Sequence, residues 1–300
     1  MKHIFVVNPA AGNGWGAKTI KQALHNYDGK YDYELYYTSS RLDATQFVKS
    51  RCEASPNELL RFYACGGDGT LNEVASGIAG FKNASMTCFA CGSGNDFVKC
   101  VGGIDKYQDV GALLNAKEHE IDLMKVNNRY CINVFSFGLD TCAAKTMIAV
   151  KHKKIIGGKN AYFTGAIKAL VTAMRTECHV VVDGESINDK EILLCTIANG
   201  THVGGSFNCA PRSLHDDGLL DVCLCKVISR LKFLQMAVPY AKGRHLDDPR
   251  AKNIITYRRG NIIEVTAPED FAATLDGEIV EGTYFRVEVL PKFIRFAIPE

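Results

Sequence analysis

The chain has almost no excess charge of either sign: 35 lysines and arginines stand against 33 acids, a formal balance of +2. Such a balance supplies no field broad enough to recruit nucleic acid, although local patches can still meet anionic lipid head groups. No uncharged apolar run reaches the roughly 18 residues that a membrane-spanning helix needs, so a soluble protein is expected. Met1-Lys2-His3 leads straight into Ile4–Val7 without the longer apolar stretch of a secretory signal, and a cytoplasmic location is expected. Proline, glycine and serine never gather into a linker, and neither an internal repeat nor a low-complexity tract appears. Cys88 and Cys91 form one C-x-x-C pair with no second pair of matching spacing, which argues against zinc. Most of the twelve cysteines sit in apolar runs, as Cys195, Cys223 and Cys225 do, and read as reduced, small hydrophobic residues.

At 300 residues and 47% hydrophobic content the chain is long enough for two domains with cores of their own. Short apolar runs at Ile4–Val7, Tyr33–Tyr37, Leu60–Cys65 and Thr87–Cys91 predict strands. Helical spacing over Ala17–Tyr27, Asp43–Cys52 and Leu71–Ile78 predicts helices between them. This alternation predicts a parallel sheet in an α/β domain over residues 1–124. From about Lys125 the pattern turns to strands, at Tyr130–Phe137, His179–Val182, Ile192–Ala198, Leu219–Cys225, Ile262–Thr266 and Tyr284–Leu290. Helical segments at Ala161–Met174 and Leu231–Tyr240 interrupt them. Residues 125–290 therefore read as a β-sandwich or barrel with helical insertions.

The segment Gly66-Gly67-Asp68-Gly69-Thr70-Leu71-Asn72 follows an apolar run and precedes a helical pattern. Glycines there bring bare backbone N–H groups to an anion, and the helix adds its positive N-terminal end. Asp68 would repel a phosphate unless a divalent cation lay between them, which points to Mg²⁺ accompanying a polyphosphate. Two more loops of similar composition follow apolar runs: Asn8-Pro9-Ala10-Ala11-Gly12 and Gly92-Ser93-Gly94-Asn95-Asp96-Phe97. Three such loops at one sheet edge can converge on one nucleotide.

Two competing motifs overlap the first loop. Gly12 to Ala17 satisfies G-x-G-x-x-A with Glu34 downstream, but Asn8–Ala11 separate its first glycine from the strand end, and Glu34 precedes its apolar run. Gly12 to Thr19 approaches the Walker pattern with Ala17 where glycine belongs, so Lys18 reads as a solvated helix residue.

These three loops, with Asp217-Gly218-Leu219-Leu220-Asp221 and Leu275-Asp276-Gly277-Glu278 far downstream, resemble the diacylglycerol kinase catalytic-domain family, which includes sphingosine and ceramide kinases and soluble bacterial lipid kinases. The likeness runs nearly end to end. It implies a nucleotide-binding α/β domain followed by a β-rich lipid domain, with residues 291–300 packing back on the first. It implies ATP lined by Asn8, Pro9, Ala10, Ala11 and Gly12, by Thr38, by Gly66 through Asn72 and by Ser93, where many relatives carry threonine. Glu278 is implied as the base that takes the proton of a lipid hydroxyl. Asp68 serves the Mg²⁺–phosphate network, although a matching aspartate is given the base role in sphingosine kinases. A structural Mg²⁺ is implied at Asp217 with the main-chain oxygens of Leu214 and Leu219. Asp216 stands next to Asp217 as a rival ligand, and Asp122 matches an acid that links the metal regions.

Asp276-Gly277-Glu278 points both carboxylates to one side if extended; the same D-G pair also suits a hairpin turn. The basic clusters Lys151-His152-Lys153-Lys154 and Arg258-Arg259 read as solvated faces unless they flank a lipid entrance. The sequence thus leads to an ATP- and Mg²⁺-dependent kinase for diacylglycerol or a related lipid, reached by transient peripheral membrane contact, with room for a homodimer. NAD kinase and a non-catalytic nucleotide or lipid sensor are the alternatives.

Overall fold

A computed structural model describes residues 1–151 and 174–300. The first part alternates as the sequence predicts: β1 (Lys2–Val7), α1 (Trp15–His25), β2 (Tyr33–Tyr37), α2 (Asp43–Ala54), β3 (Leu60–Gly66), α3 (Asp68–Ile78) and β4 (Ala84–Ala90). The strands pair in parallel in the order β4-β3-β1-β2. Every residue of β3 and β4 is buried, the signature of parallel strands covered on both faces and the reason they read as unbroken apolar runs. Because β1 lies between β2 and β3, the chain reverses its direction of travel across the sheet there. The crevice beyond the carboxyl ends of β1 and β3 is where such sheets hold ligands.

After the short α4 (Val110–Leu114) the chain turns to β5 (Lys117–Val126), β6 (Arg129–Cys131), β7 (Val134–Gly138) and α5 (Leu139–Lys151). Beyond the next described residue, Met174, lie β8 (Thr176–Glu177), β9 (His179–Val182), β10 (Glu185–Ser186), β11 (Glu191–Ala198), β12 (Leu220–Lys226), α6 (Arg230–Ala241), β13 (Ile255–Gly260), β14 (Ile262–Thr266), β15 (Ala272–Leu275), β16 (Glu278–Glu281) and β17 (Tyr284–Ile298). All but the last residue of the helix expected over Ala161–Met174, and most of the basic cluster from Lys151, fall outside the described residues.

Seven of these strands form a second sheet, ordered β13-β12-β11-β7-β15-β16 with β8 beside β11. The others extend the first sheet through β17, β14, β9 and β10. The two layers close over one apolar core that includes Phe135, Phe137, Ile197, Leu224, Val265 and Val287, so the second part is the expected β-sandwich. The strand expected over Tyr130–Phe137 is in fact two, broken at Ile132 and Asn133.

Strand β17 ties the layers together. Its first half pairs with β14, its end lies parallel to β4 with Phe296 opposite Met86, and β5 runs antiparallel beside it. The ladder is irregular between Leu290 and Ile294, where Lys292 takes φ 51°. Phe296 is fully buried and meets Phe97 edge-on at 5.4 Å. We predict that Phe296→Ala lowers stability by about 3–5 kcal/mol in denaturant titration; a loss below about 1 kcal/mol would show that this strand end does not hold the sheet.

Candidate active site

The three glycine-bearing loops meet at one edge. Asn8 leaves β1 with its N–H on Cys65 O of β3 (3.0 Å), and Cys91 leaves β4 with its N–H on Gly66 O (3.1 Å). Asn8 then closes its own turn, accepting from Ala10 N–H at Oδ1 (3.0 Å), and donates from Nδ2 to Thr70 Oγ1 (3.3 Å). Thr38, at the end of β2, donates its N–H to Val7 O (2.9 Å). A β-carbon on Gly92 would lie 2.3 Å from Gly67 Cα, so the second and third loops touch backbone to backbone at a distance that requires glycine. Gly12 lies five residues past the end of β1, Glu34 sits within β2 paired with Arg51, and Lys18 is exposed on α1; none of the three forms a dinucleotide or Walker site.

The loop from Gly66 to Asn72 is half helix. α3 starts at Asp68, three residues before the expected Leu71, with Gly67 as its N-cap and Leu71 N–H on Gly67 O (3.0 Å). The N–H groups of Asp68, Gly69 and Thr70 precede the helix's own bonding and are available to an anion. Asp68 accepts from Asp96 N–H at 2.5 Å. A β-carbon on Gly94 would fall 2.7 Å from Asp68 Oδ2 and 3.2 Å from Asp96 Oδ2, which puts the two carboxylates side by side against a bare Cα. Desolvation, then the Asp96 charge, raise the Asp68 pKa against the pull of the backbone N–H groups. Asp96 is buried and anchored by Lys99 Nζ (2.6 Å) and Gly205 N–H (3.0 Å). Asp96 and Lys99 were not singled out from the sequence, although Asp96 lies inside the motif that carried the resemblance. Ser93 is exposed at the loop tip.

Asp276-Gly277 is a turn. Asp276 has φ 47° and Gly277 φ 84°, both positive as a type I′ hairpin demands, and Leu275 pairs with Glu278 across it. The extended reading is thereby corrected: Asp276 and Glu278 do not share a strand face. Asp276 points into the break between β6 and β7, accepting from the N–H groups of Ile132 (2.9 Å), Asn133 (3.2 Å) and Val134 (2.9 Å). Ile132 N–H is shared with Asn72 Oδ1 (3.2 Å), which joins the glycine loop to the downstream acid. Burial pushes the Asp276 pKa up to about 6 despite these donors. Glu278 is gripped by two guanidiniums, Arg41 at 2.9 and 2.6 Å through both oxygens and Arg129 at Oε2. Arg41 stands next to Leu42, whose N–H, with that of Ala44, is held by the Glu73 carboxylate of α3 (3.0 and 3.2 Å). Arg41 and Arg129 lie in no motif, and nothing in the sequence could have paired either with Glu278; Glu73 directly follows the Gly66–Asn72 loop, but its role was not read.

Asp122 is fully buried and accepts from Gly218 N–H (2.7 Å) and Lys292 N–H (2.8 Å), joining the loop before β12 to the irregularity in β17. Asp217 accepts from Leu219 N–H at Oδ1 (3.1 Å) and from Arg259 at Oδ2, while Leu214 is exposed. Among the described residues no three His, Cys, Asp or Glu side chains converge as metal ligands. Asp217 is thus paired with a guanidinium through Oδ2, while its Oδ1 holds only the Leu219 N–H.

The second sheet carries a feature the sequence did not reveal, an apolar cavity of about 100 Å³ between β11, the start of α5 and α6. Leu139, Leu193, Phe233 and Met236 line it, with Asp140, Tyr240 and His245 as its polar members. Asp140 Oδ2 and His245 Nδ1 have no hydrogen-bond partner. Desolvation pushes the Asp140 pKa up to about 6 and that of His245 down to about 4. The segment held by Asp96 at Gly205 reaches the cavity wall two residues later, at Phe207. Most of the twelve cysteines are buried.

A parallel sheet with glycine loops at its switch point is thus joined to a sandwich that carries an apolar cavity. Residues 2–126 match the model of the diacylglycerol kinase catalytic domain, and residues 133–298 that of the YegS C-terminal NAD kinase beta sandwich-like domain. The chain belongs to the diacylglycerol kinase and YegS-like lipid kinase family. It is 29% identical to the diacylglycerol kinase of Bacillus subtilis over 277 residues, 91% of this chain and 88% of that one. It is 30% identical to the "Probable lipid kinase YegS" of Escherichia fergusonii over 265 residues, 86% and 83% of the two chains. In fold it resembles a diacylglycerol kinase from Bacillus anthracis (TM-score 0.72, 20% identity, 99% and 96% covered). An NAD kinase from Archaeoglobus fulgidus, solved in complex with ATP, shares the fold more distantly (TM-score 0.51, 13% identity, 100% and 94% covered).

A carboxyl raised in the folded state stabilises most below its unfolded pKa, and that contribution is lost as pH rises through the folded value. Asp140, raised from 3.8 to about 6, therefore makes the fold less stable between pH 4 and 6. Asp140→Asn should flatten the fall in stability across that window by the order of 2 kcal/mol in thermal melts at stepped pH. An unchanged slope would remove Asp140 as its source.

Proposed function

We propose that the protein transfers the γ-phosphoryl group of ATP to the hydroxyl of diacylglycerol or a related lipid. The observation that carries this reading is the short path from the Asp68–Asp96 pair, through Gly205, to the apolar cavity at Phe207. ATP with its Mg²⁺ would rest on the N–H groups at the start of α3 and against the Asn8–Gly12 and Gly92–Phe97 loops. The acyl chains would enter the cavity and bring the hydroxyl toward the same edge. Phosphoryl transfer asks chiefly for alignment and charge stabilisation, and a carboxylate to take the hydroxyl proton as the new O–P bond forms and ADP leaves.

Glu278 is the proposed base. Its two guanidinium partners are also the residue type best suited to bidentate phosphate contacts. Arrival of the triphosphate would draw Arg41 and Arg129 onto phosphate oxygens and free the carboxylate. Asp68 is the second reading for the base, favoured by its raised proton affinity; its place at the start of α3 suits the Mg²⁺–phosphate network better. The membrane supplies the lipid by transient contact. No helix among the described residues is long and apolar enough to span it.

Radiolabel from ATP should appear in an extracted lipid mixture and not in NAD. Labelled NADP instead would identify an NAD kinase, and ATP binding without either product a sensor. Glu278→Gln should lower lipid turnover by at least about 100-fold, the usual scale for loss of a general base, with ATP affinity no weaker than wild type. Wild-type turnover in that variant would move the base role to Asp68.

A further inference from the structure

Helix α6 is apolar on two opposite faces. Phe233, Met236, Ala237 and Tyr240 line the cavity. On the other side, Leu231, Leu234 and Val238 form a stripe at i, i+3 and i+7, and are 68, 58 and 61% exposed, more than any other large apolar side chain described. Isolated exposed leucines need no explanation, but the three greatest exposures on a single helical stripe mark a contact surface. A helix of this kind either lies buried or rests at an apolar boundary.

The charge around it selects the boundary. From Lys226 to Asp248 the chain carries five cations, Lys226, Arg230, Lys232, Lys242 and Arg244, against two acids, Asp247 and Asp248, the latter within electrostatic reach of Lys232, in a protein whose overall charge is close to zero. Lys226, Lys242 and Arg244 are exposed at the two ends of the stripe. Apolar side chains flanked by cations match the acyl and head-group layers of an anionic leaflet, in which such a helix sinks its apolar face below the phosphates. A protein partner would need acidic groups around an apolar groove; the leaflet supplies both as a continuous surface.

We infer that the outer face of α6, through Leu231, Leu234 and Val238 with Lys226, Lys242 and Arg244 around them, docks the protein on an anionic lipid surface. The inference rests on the lipid-kinase reading for its purpose: the docked helix is itself a wall of the cavity, so the acceptor passes from leaflet to cavity beside it.

The test is sedimentation with vesicles of phosphatidylglycerol and phosphatidylcholine in equal parts, compared with phosphatidylcholine alone. Wild type should sediment with the mixed vesicles and be released by salt. The variant Leu231→Gln/Leu234→Gln, which keeps good helix formers at exposed positions, should bind at least about tenfold more weakly. Its phosphorylation of a dispersed short-chain diacylglycerol should stay at the wild-type level. Lys242→Glu/Arg244→Glu should weaken binding to the mixed vesicles alone, and an unchanged melting temperature in both variants shows that they fold. Wild-type sedimentation by both variants would overturn the inference, as would failure of the wild type to bind. A fall in oligomeric state of the leucine variant without loss of vesicle binding would overturn it in favour of a second copy of the chain. Vesicle binding through α6 with no lipid phosphorylated would leave the docking surface standing and refute the kinase reading.

Discussion

The amide of Ile132 lies between two acceptors that belong to different halves of the molecule, Asn72 Oδ1 of the glycine loop and Asp276 Oδ2 of the downstream hairpin. Because Asp276 also takes the N–H groups of Asn133 and Val134, the break between β6 and β7 is filled by one carboxylate in place of a strand partner. Unpaired backbone donors in such a break would each cost on the order of 1–3 kcal/mol, so the hairpin is fixed in position against α3. Asn199 reinforces the same place from the other side, its amide donating to Asp122 O (3.0 Å) and Ile132 O (2.9 Å) while fully buried. The placement of Glu278, two residues beyond Asp276, follows from this anchoring.

Two consequences reach the site. Glu278 meets Arg41 from the loop before α2 and Arg129 from β6, so the hairpin, that loop and β6 share one ion-pair cluster. Asp96 does for the cavity wall what Asp276 does for the hairpin. It holds Gly205, and with it the segment that walls the apolar cavity, against the third glycine loop. The third glycine loop and the cavity wall are therefore tied by hydrogen bonds, which couples the position of the loop to that of the wall.

Much of this was legible in the sequence, and the exceptions have physical reasons. The buried parallel strands announced themselves as apolar runs because both their faces are covered. β5 did not, since its opening Lys117-Glu118-His119-Glu120 is largely outside the core, and it is stabilised by the long pairing with β17. The glycine loops were readable because glycine is required where backbones touch, as at Gly67 and Gly92. The D-G pair was read as a strand or a turn, and the turn is what forms, with Asp276 at a positive-φ corner accepting from three backbone donors. Arg41 and Arg129 were invisible because ion pairs across 237 and 149 positions leave no local pattern, and Glu73 because its carboxylate meets backbone N–H groups about thirty residues away. The cavity was hidden because Leu, Phe and Met lining it look like any core; only the unpartnered oxygen of Asp140 and nitrogen of His245 set it apart.

The account depends on a single site formed by the loop of Asp68 and the cavity behind α6. A crystal structure with a non-hydrolysable ATP analogue and a short-chain diacylglycerol tests this most directly. It should show the γ-phosphate at the N-terminus of α3, with the lipid chains among Leu193, Phe233 and Met236 and the lipid hydroxyl turned toward Asp68 and Glu278. Lipid bound elsewhere while the cavity stays closed, or nucleotide away from the Gly66–Asn72 loop, would contradict it.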